Sequence, residues 1–151
     1  MREHVRPSVT RAEEVVANAS GENFPVALRI LPARHRRHLT NLYFFARLTD
    51  DLGDEARDAQ GDTNGAADVS ELRLRLLDEL AADVDRIYQA RSINEGGPES
   101  PVMRAMADTV RECGVPAKPL LDLIQANRQD QQVTRYHRFA DLQQYLSLIH
   151  I

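Results

Sequence analysis

The stretch ARHRRHLTNLYFFARLTDDLGDEARD, residues 33–58, contains no proline and follows directly on Pro32. Leu39, Leu42, Phe45, Ala46 and Thr49 recur in it at helical spacing, which predicts one long helix from Ala33 to Asp58. With Tyr43 as origin, an advance of about 100° per residue puts Arg47, Asp50 and Asp54 beside it in a stripe roughly 60° wide. Phe44, Leu48, Leu52, Phe45, Thr49, Leu42 and Ala46 fill nearly all the remaining circumference. A surface helix has the opposite proportions, a wide polar face and a narrower apolar one. This helix is therefore expected to be buried on most sides, with its charged stripe facing something that compensates it, such as a polar cavity with bound cations. Carboxylates at i and i+4 repel each other unless a cation sits between them, and Mg²⁺ suits the place because it takes carboxylate and water oxygens and bridges to phosphates.

A plainer reading stands beside this one. Asp50, Asp51, Asp54 and Glu55 could be a solvated acidic helix end, with Arg47 and Asp51 an ordinary i,i+4 ion pair contributing ~0.3 to 0.5 kcal/mol. That reading leaves three features unexplained: the narrowness of the stripe, the phenol and guanidinium on it, and Gly53, which costs about 1 kcal/mol against Ala inside a helix. Together they favour a metal and diphosphate site.

On either side of this segment the pattern stays helical. Thr10 with Glu13 makes a capping box that opens a short helix to Ala19. Ala56 to Val69, with Gly61, Gly65 and several Asp, reads as a loop. Ser70 to Ala90 reads as a helix burying Leu72, Leu76, Leu80, Val84 and Ile87. After a second loop, Ser100 caps a helix with Pro101 at its first position, Val102, Met106, Val110 and Cys113 turned inward, and a stop at Gly114. Pro116 and Pro119 begin another, through Leu120, Leu121 and Ile124 to Gln131, and a last helix starts near Phe139. No segment alternates with period two, so the fold class is all-α, antiparallel helices joined by loops.

Composition narrows the function classes. A chain of 151 residues, 42% hydrophobic and 28% charged, fits one soluble domain with a substantial core. No apolar run approaches the roughly 20 residues that a spanning helix needs, and the N-terminus reads as neither signal nor transit peptide, so a cytoplasmic location is expected. A net charge of −4 argues against nucleic acid. The basic run Arg34 to His38 reads as a solvated first turn, with a contact to anionic lipid or a diphosphate as its other reading. The lone Cys113 reads as a small core residue without a chemical role.

Read as spaced blocks, the residues resemble a known family. Asn23-Phe24-Pro25-Val26-Ala27 to Leu31-Pro32, then Leu42-Tyr43-Phe44-Phe45-Ala46-Arg47, then Asp50-Asp51-Leu52-Gly53-Asp54-Glu55 look like the opening of squalene/phytoene synthases. Leu121 to Ile124, Asn127-Arg128-Gln129-Asp130, Tyr136 and Asp141 to Tyr145 resemble the family's next blocks, in order. The wording around residues 22–27 and 123–136 looks most like the bacterial hydroxysqualene synthase branch of hopanoid biosynthesis. The resemblance implies an all-helical isoprenoid synthase fold around a central cavity. It implies that Asp50 and Asp54 hold Mg²⁺ against a prenyl diphosphate, with Asp51 adjacent. It further implies that Arg47 meets the diphosphate with Tyr43 beside it, that Asn23 and Phe24 line the prenyl tunnel, and that Asp130 and Tyr145 border the same cavity. Implied partners are farnesyl or presqualene diphosphate as substrate, other enzymes of the squalene and hopanoid pathway, and a peripheral membrane contact.

The family's second aspartate-rich motif would lie beyond Tyr145, so the chain is expected to be an N-terminal part of one prenyl-synthase domain spanning 10–145. On this reading residues 1–9 form a disordered tail, and the uncapped Leu146-Ser147-Leu148-Ile149-His150-Ile151 is non-native read-through. With one metal wall encoded, the chain as written is expected to be inactive. Two rivals are another aspartate-rich prenyl synthase or terpene cyclase, and a non-catalytic helical module whose acidic stripe meets a basic partner.

Overall fold

The computed structural model describes residues 31–54, 66–89 and 97–149, with the side chains of residues 54 and 66–68 outside that description. Among the described residues the regular structure is five helices: α1 Ala33–Asp54, α2 Ala66–Gln89, α3 Pro101–Cys113, α4 Ala117–Asp130 and α5 Phe139–Ile149. No strand occurs among the described residues, so the fold is all-α, consistent with an isoprenoid synthase. The predicted helix over residues 10–19, the region around Asn23 and Phe24, and the continuation to Asp58 lie outside the described residues.

The helix ends follow from local chemistry. Pro32 cannot donate, and its carbonyl instead accepts from the His35 and Arg36 amides at 3.0 Å each, starting α1. At α3 the extended Ser100 (φ −68°, ψ 139°) offers its hydroxyl to the Met103 amide at 3.4 Å, and Pro101 takes the first helical position. Gly114 ends that helix at φ 66°, its N–H bonded to the Val110 carbonyl at 2.9 Å.

α1 packs on α2, α3 and α4, α2 reaches α3 and α4 as well, and α5 lies on α4. Contacts between residues 37, 38 and 41 of α1 and 112, 109 and 105 of α3 run in opposite senses, so this pair is antiparallel. Residues 70, 73 and 78 of α2 meet 131 and 128 at the end of α4, which makes the second pair antiparallel too. Between the helices lies one core, in which Phe45, Leu48 and Leu52 of α1 meet Leu77, Leu80, Val84, Met103, Met106 and Ile124. Burial of each large aliphatic side chain contributes about 1.5–3 kcal/mol. Two buried threonines find partners: the Thr49 hydroxyl donates to the Phe45 carbonyl of its own helix at 2.9 Å, and Thr109 accepts from Asn41 of α1 at 2.9 Å.

Three expectations are corrected. α2 already runs at Ala66, inside the predicted loop, because Ala66-Ala67-Asp68 favours a first helical turn once Gly65 is passed. Leu76, Leu80, Val84 and Ile87 are buried as expected, but Leu72 is 53% exposed and Leu77 joins the core instead, which widens the buried stripe of α2 on one side. Cys113 is exposed, since the last residue before Gly114 projects past the end of the packed face. The first turn of α1 is solvated as expected, with Arg37 paired to Glu112. No described helix is long and apolar enough to cross a membrane.

Candidate functional site

At the C-terminal end of α1 three helices bring their polar side chains together. Asp50 is exposed, and the amide of Asn127 on α4 approaches its Oδ1 at 3.5 Å, long for a hydrogen bond. The same amide nitrogen donates to the Leu123 carbonyl at 3.2 Å. Gly53 faces Asn127 so closely that a Cβ on it would lie 2.6 Å from Asn127 Oδ1. One turn along α4 and just past its end, Gln131 donates from Nε2 to the Gly53 carbonyl at 2.9 Å and accepts from Arg73 of α2 at 2.8 Å. The acidic turn of α1 is thus tied by its backbone to α4, and through Gln131 to α2.

Across from it, Tyr145 of α5 donates its phenol to Asp130 Oδ2 of α4 at 2.9 Å. The ring of Tyr136 stands 5.4 Å from that of Tyr145, and its hydroxyl accepts from Gln129 Nε2 at 3.0 Å. Partial burial, the hydrogen bond and charge of Asp130, and then the charges of Tyr136 and Asp50 push the Tyr145 phenol up to about 12. Asp50, Asp130 and Tyr145, from three helices, therefore occupy one electrostatic neighbourhood.

The remaining sequence-predicted residues divide. Arg47 and Asp51 form the i,i+4 pair at 3.1 Å, with Asp51 the more buried partner. Tyr43 lies two turns before Asp50, its ring 5.7 Å from that of Phe44. Asp54 occupies the last position of α1, one turn beyond Asp50, with its side chain outside the described residues, as are Asn23 and Phe24. Asn127 and Gln131 carry no role in the sequence reading. The available signal was Gly53, since a glycine kept inside a helix despite its cost marks a close approach by something.

Among the described residues no three His, Cys, Asp or Glu side chains gather as metal ligands. The donors near Asp50 are nonetheless of the right kind, carboxylate and amide oxygens without thiolate or imidazole. A hard cation that takes one or two protein carboxylates and completes its shell with phosphate oxygens fits them.

The model of the squalene/phytoene synthase family matches residues 17–150. A hydroxysqualene synthase of Rhodopseudomonas palustris (strain ATCC BAA-98 / CGA009) is 32% identical over 124 residues, covering 82% of this chain and 36% of that protein. The chain thus spans about a third of the length of this curated relative. No solved structure matches.

Proposed function

The chain belongs to the squalene/phytoene synthase family, and from that premise we propose that it carries the first metal-binding wall of a Mg²⁺-dependent prenyl-diphosphate synthase. The observation that supports this is that α4 meets both neighbours within one turn, Asn127 approaching Asp50 of α1 at 3.5 Å and Asp130 accepting from Tyr145 of α5 at 2.9 Å, beside the turn that ends in Asp54. The substrate is an allylic prenyl diphosphate, farnesyl or presqualene diphosphate, and pyrophosphate leaves. The hydroxysqualene branch is favoured by the curated relative.

Asp50 and Asp54 would hold the ion, which when bound neutralises the departing pyrophosphate. Arg47 is held by Asp51 alongside that position, and its planar fork suits bidentate contact with diphosphate oxygens. The phenol of Tyr145 stays neutral, donating its hydrogen bond to Asp130, and so offers an uncharged ring edge to the substrate. Tyr43 and Phe44, adjacent half-buried rings on α1, offer aromatic faces of the kind that stabilise a developing carbocation. Cytoplasmic location, peripheral membrane contact and association with other pathway enzymes belong to the same proposal.

The test is made in the full protein that carries this chain. Asp54→Asn keeps size while removing the charge that holds the ion, so turnover should fall by at least ~10²-fold, the usual effect of losing one strong electrostatic contact. Asp58→Asn, four residues on and outside the motif, should change little, and Arg47→Lys should lower turnover because a point charge cannot reproduce the fork. Equal, near-normal turnover in Asp54→Asn and Asp58→Asn would return the acidic run to a solvated helix end.

A further inference from the structure

We propose that Asn127 is a positioning residue for Asp50, and that Gly53 is the notch that lets it work. The proposal rests on the reading of Asp50 as a metal-holding carboxylate and adds the residue that aims it.

The amide of Asn127 has two N–H groups, and both are directed. One donates to the Leu123 carbonyl on its own helix at 3.2 Å, and the other points toward Asp50 Oδ1 at 3.5 Å. Turning the amide over would set its oxygen against a carbonyl and a carboxylate together, so the network fixes which end faces Asp50. The amide oxygen is left against Gly53, in the space where any other residue would place a Cβ at 2.6 Å. Gly53 thus admits the amide of Asn127 to the flank of α1 at the height of Asp50.

Two consequences follow for a cation. A donor on one carboxylate oxygen restricts the rotation of the group and so its orientation toward a cation, as outer partners of metal ligands do. The clasp of Gln131 on the Gly53 carbonyl, at 2.9 Å, fixes the height of the acidic turn on α4, so Asp50 and Asp130 keep their spacing. Asn127 acts through Asp50.

The test uses the full chain, Mn²⁺ in place of Mg²⁺, and inorganic pyrophosphate as the second probe, with bound Mn²⁺ read by electron paramagnetic resonance and folding by Tm. Asn127→Ala should weaken Mn²⁺ binding about tenfold, the lower end of what losing an outer-shell partner does, while Tm changes little. Gly53→Ala should lower Tm, because its Cβ meets the amide. The double variant Gly53→Ala with Asn127→Ala should recover Tm, since the added methyl fills the space vacated, yet Mn²⁺ binding should stay weak. Wild-type affinity in Asn127→Ala, or recovery of affinity along with Tm in the double variant, would show that Asn127 only fills space and would overturn the proposal. Asp50→Asn separates the premise: if it binds Mn²⁺ and pyrophosphate as the wild type does, the metal reading itself fails, whatever Asn127 does.

Discussion

Tyr145 shows how a single side chain reports on its surroundings. Its phenol is an acid whose charged form is opposed by partial burial and by the carboxylates of Asp130 and Asp50, so it sits at about 12 against an ordinary 10.0. The folded state favours the neutral form. The stabilisation is therefore fully present below pH 10 and is lost as pH rises through about 12, with nothing gained or lost between neutrality and pH 9. Followed by tyrosinate absorbance, Tyr145 should titrate at about 12, above an ordinary phenol. Asp130→Asn retains an acceptor but removes a charge, and should bring that step down. A step unmoved by Asp130→Asn would mean that the phenol does not sense Asp130, and the shared neighbourhood of the site residues would lose its main support.

At the scale of elements, α3 is the helix most nearly written in its own residues. Ser100, Pro101 and Gly114 each act at their ends as their chemistry requires, and Val102, Met106 and Val110 are buried where the period puts them. Gly114 adopts φ 66° with no atom within 4 Å of where a Cβ would lie, so Gly114→Ala meets no clash and only the left-handed backbone opposes it. Loss of about 1–2 kcal/mol in chemical denaturation is expected. No measurable loss would indicate that the chain ends α3 equally well without the left-handed turn. The other helices were legible in kind but less so in detail. Leu72 and Leu77 satisfy the same period within one position, and only the partner helices decide which is buried. The stripe of Tyr43, Arg47, Asp50 and Asp54 is a property of one helix and could be read from spacing. The approach of Asn127 to Gly53 is a distance between two helices, and no periodicity in either contains it. Gly53 left a trace because its cost to α1 had to be offset by something outside α1.

Across the whole molecule the helices are unequally anchored, and the site spans that difference. α1, α2, α3 and α4 share the buried core, whereas α5 contributes no buried residue and exposes Phe139, Leu146 and Ile149. What holds α5 down is the Tyr145 to Asp130 hydrogen bond and the Tyr136 to Tyr145 ring contact, together with its packing on α4. Segments with few buried apolar contacts open at lower free energy than the core around them. Amide hydrogen exchange followed by mass spectrometry should therefore find α5 exchanging fastest of the described helices, with residues 44–52 of α1 and the body of α3 slowest. Tyr145→Phe removes the hydroxyl but keeps the ring, so it should speed exchange in α5 alone and leave α1 and α3 at their wild-type rates. Protection of α5 equal to that of α3, or a Tyr145→Phe effect spread evenly over all helices, would mean that α5 unfolds only with the core. If α5 opens by itself, Tyr145 leaves the site with it while Asp50 and Asp130 remain on anchored helices. The acidic wall would then keep its geometry while the aromatic side facing it moves.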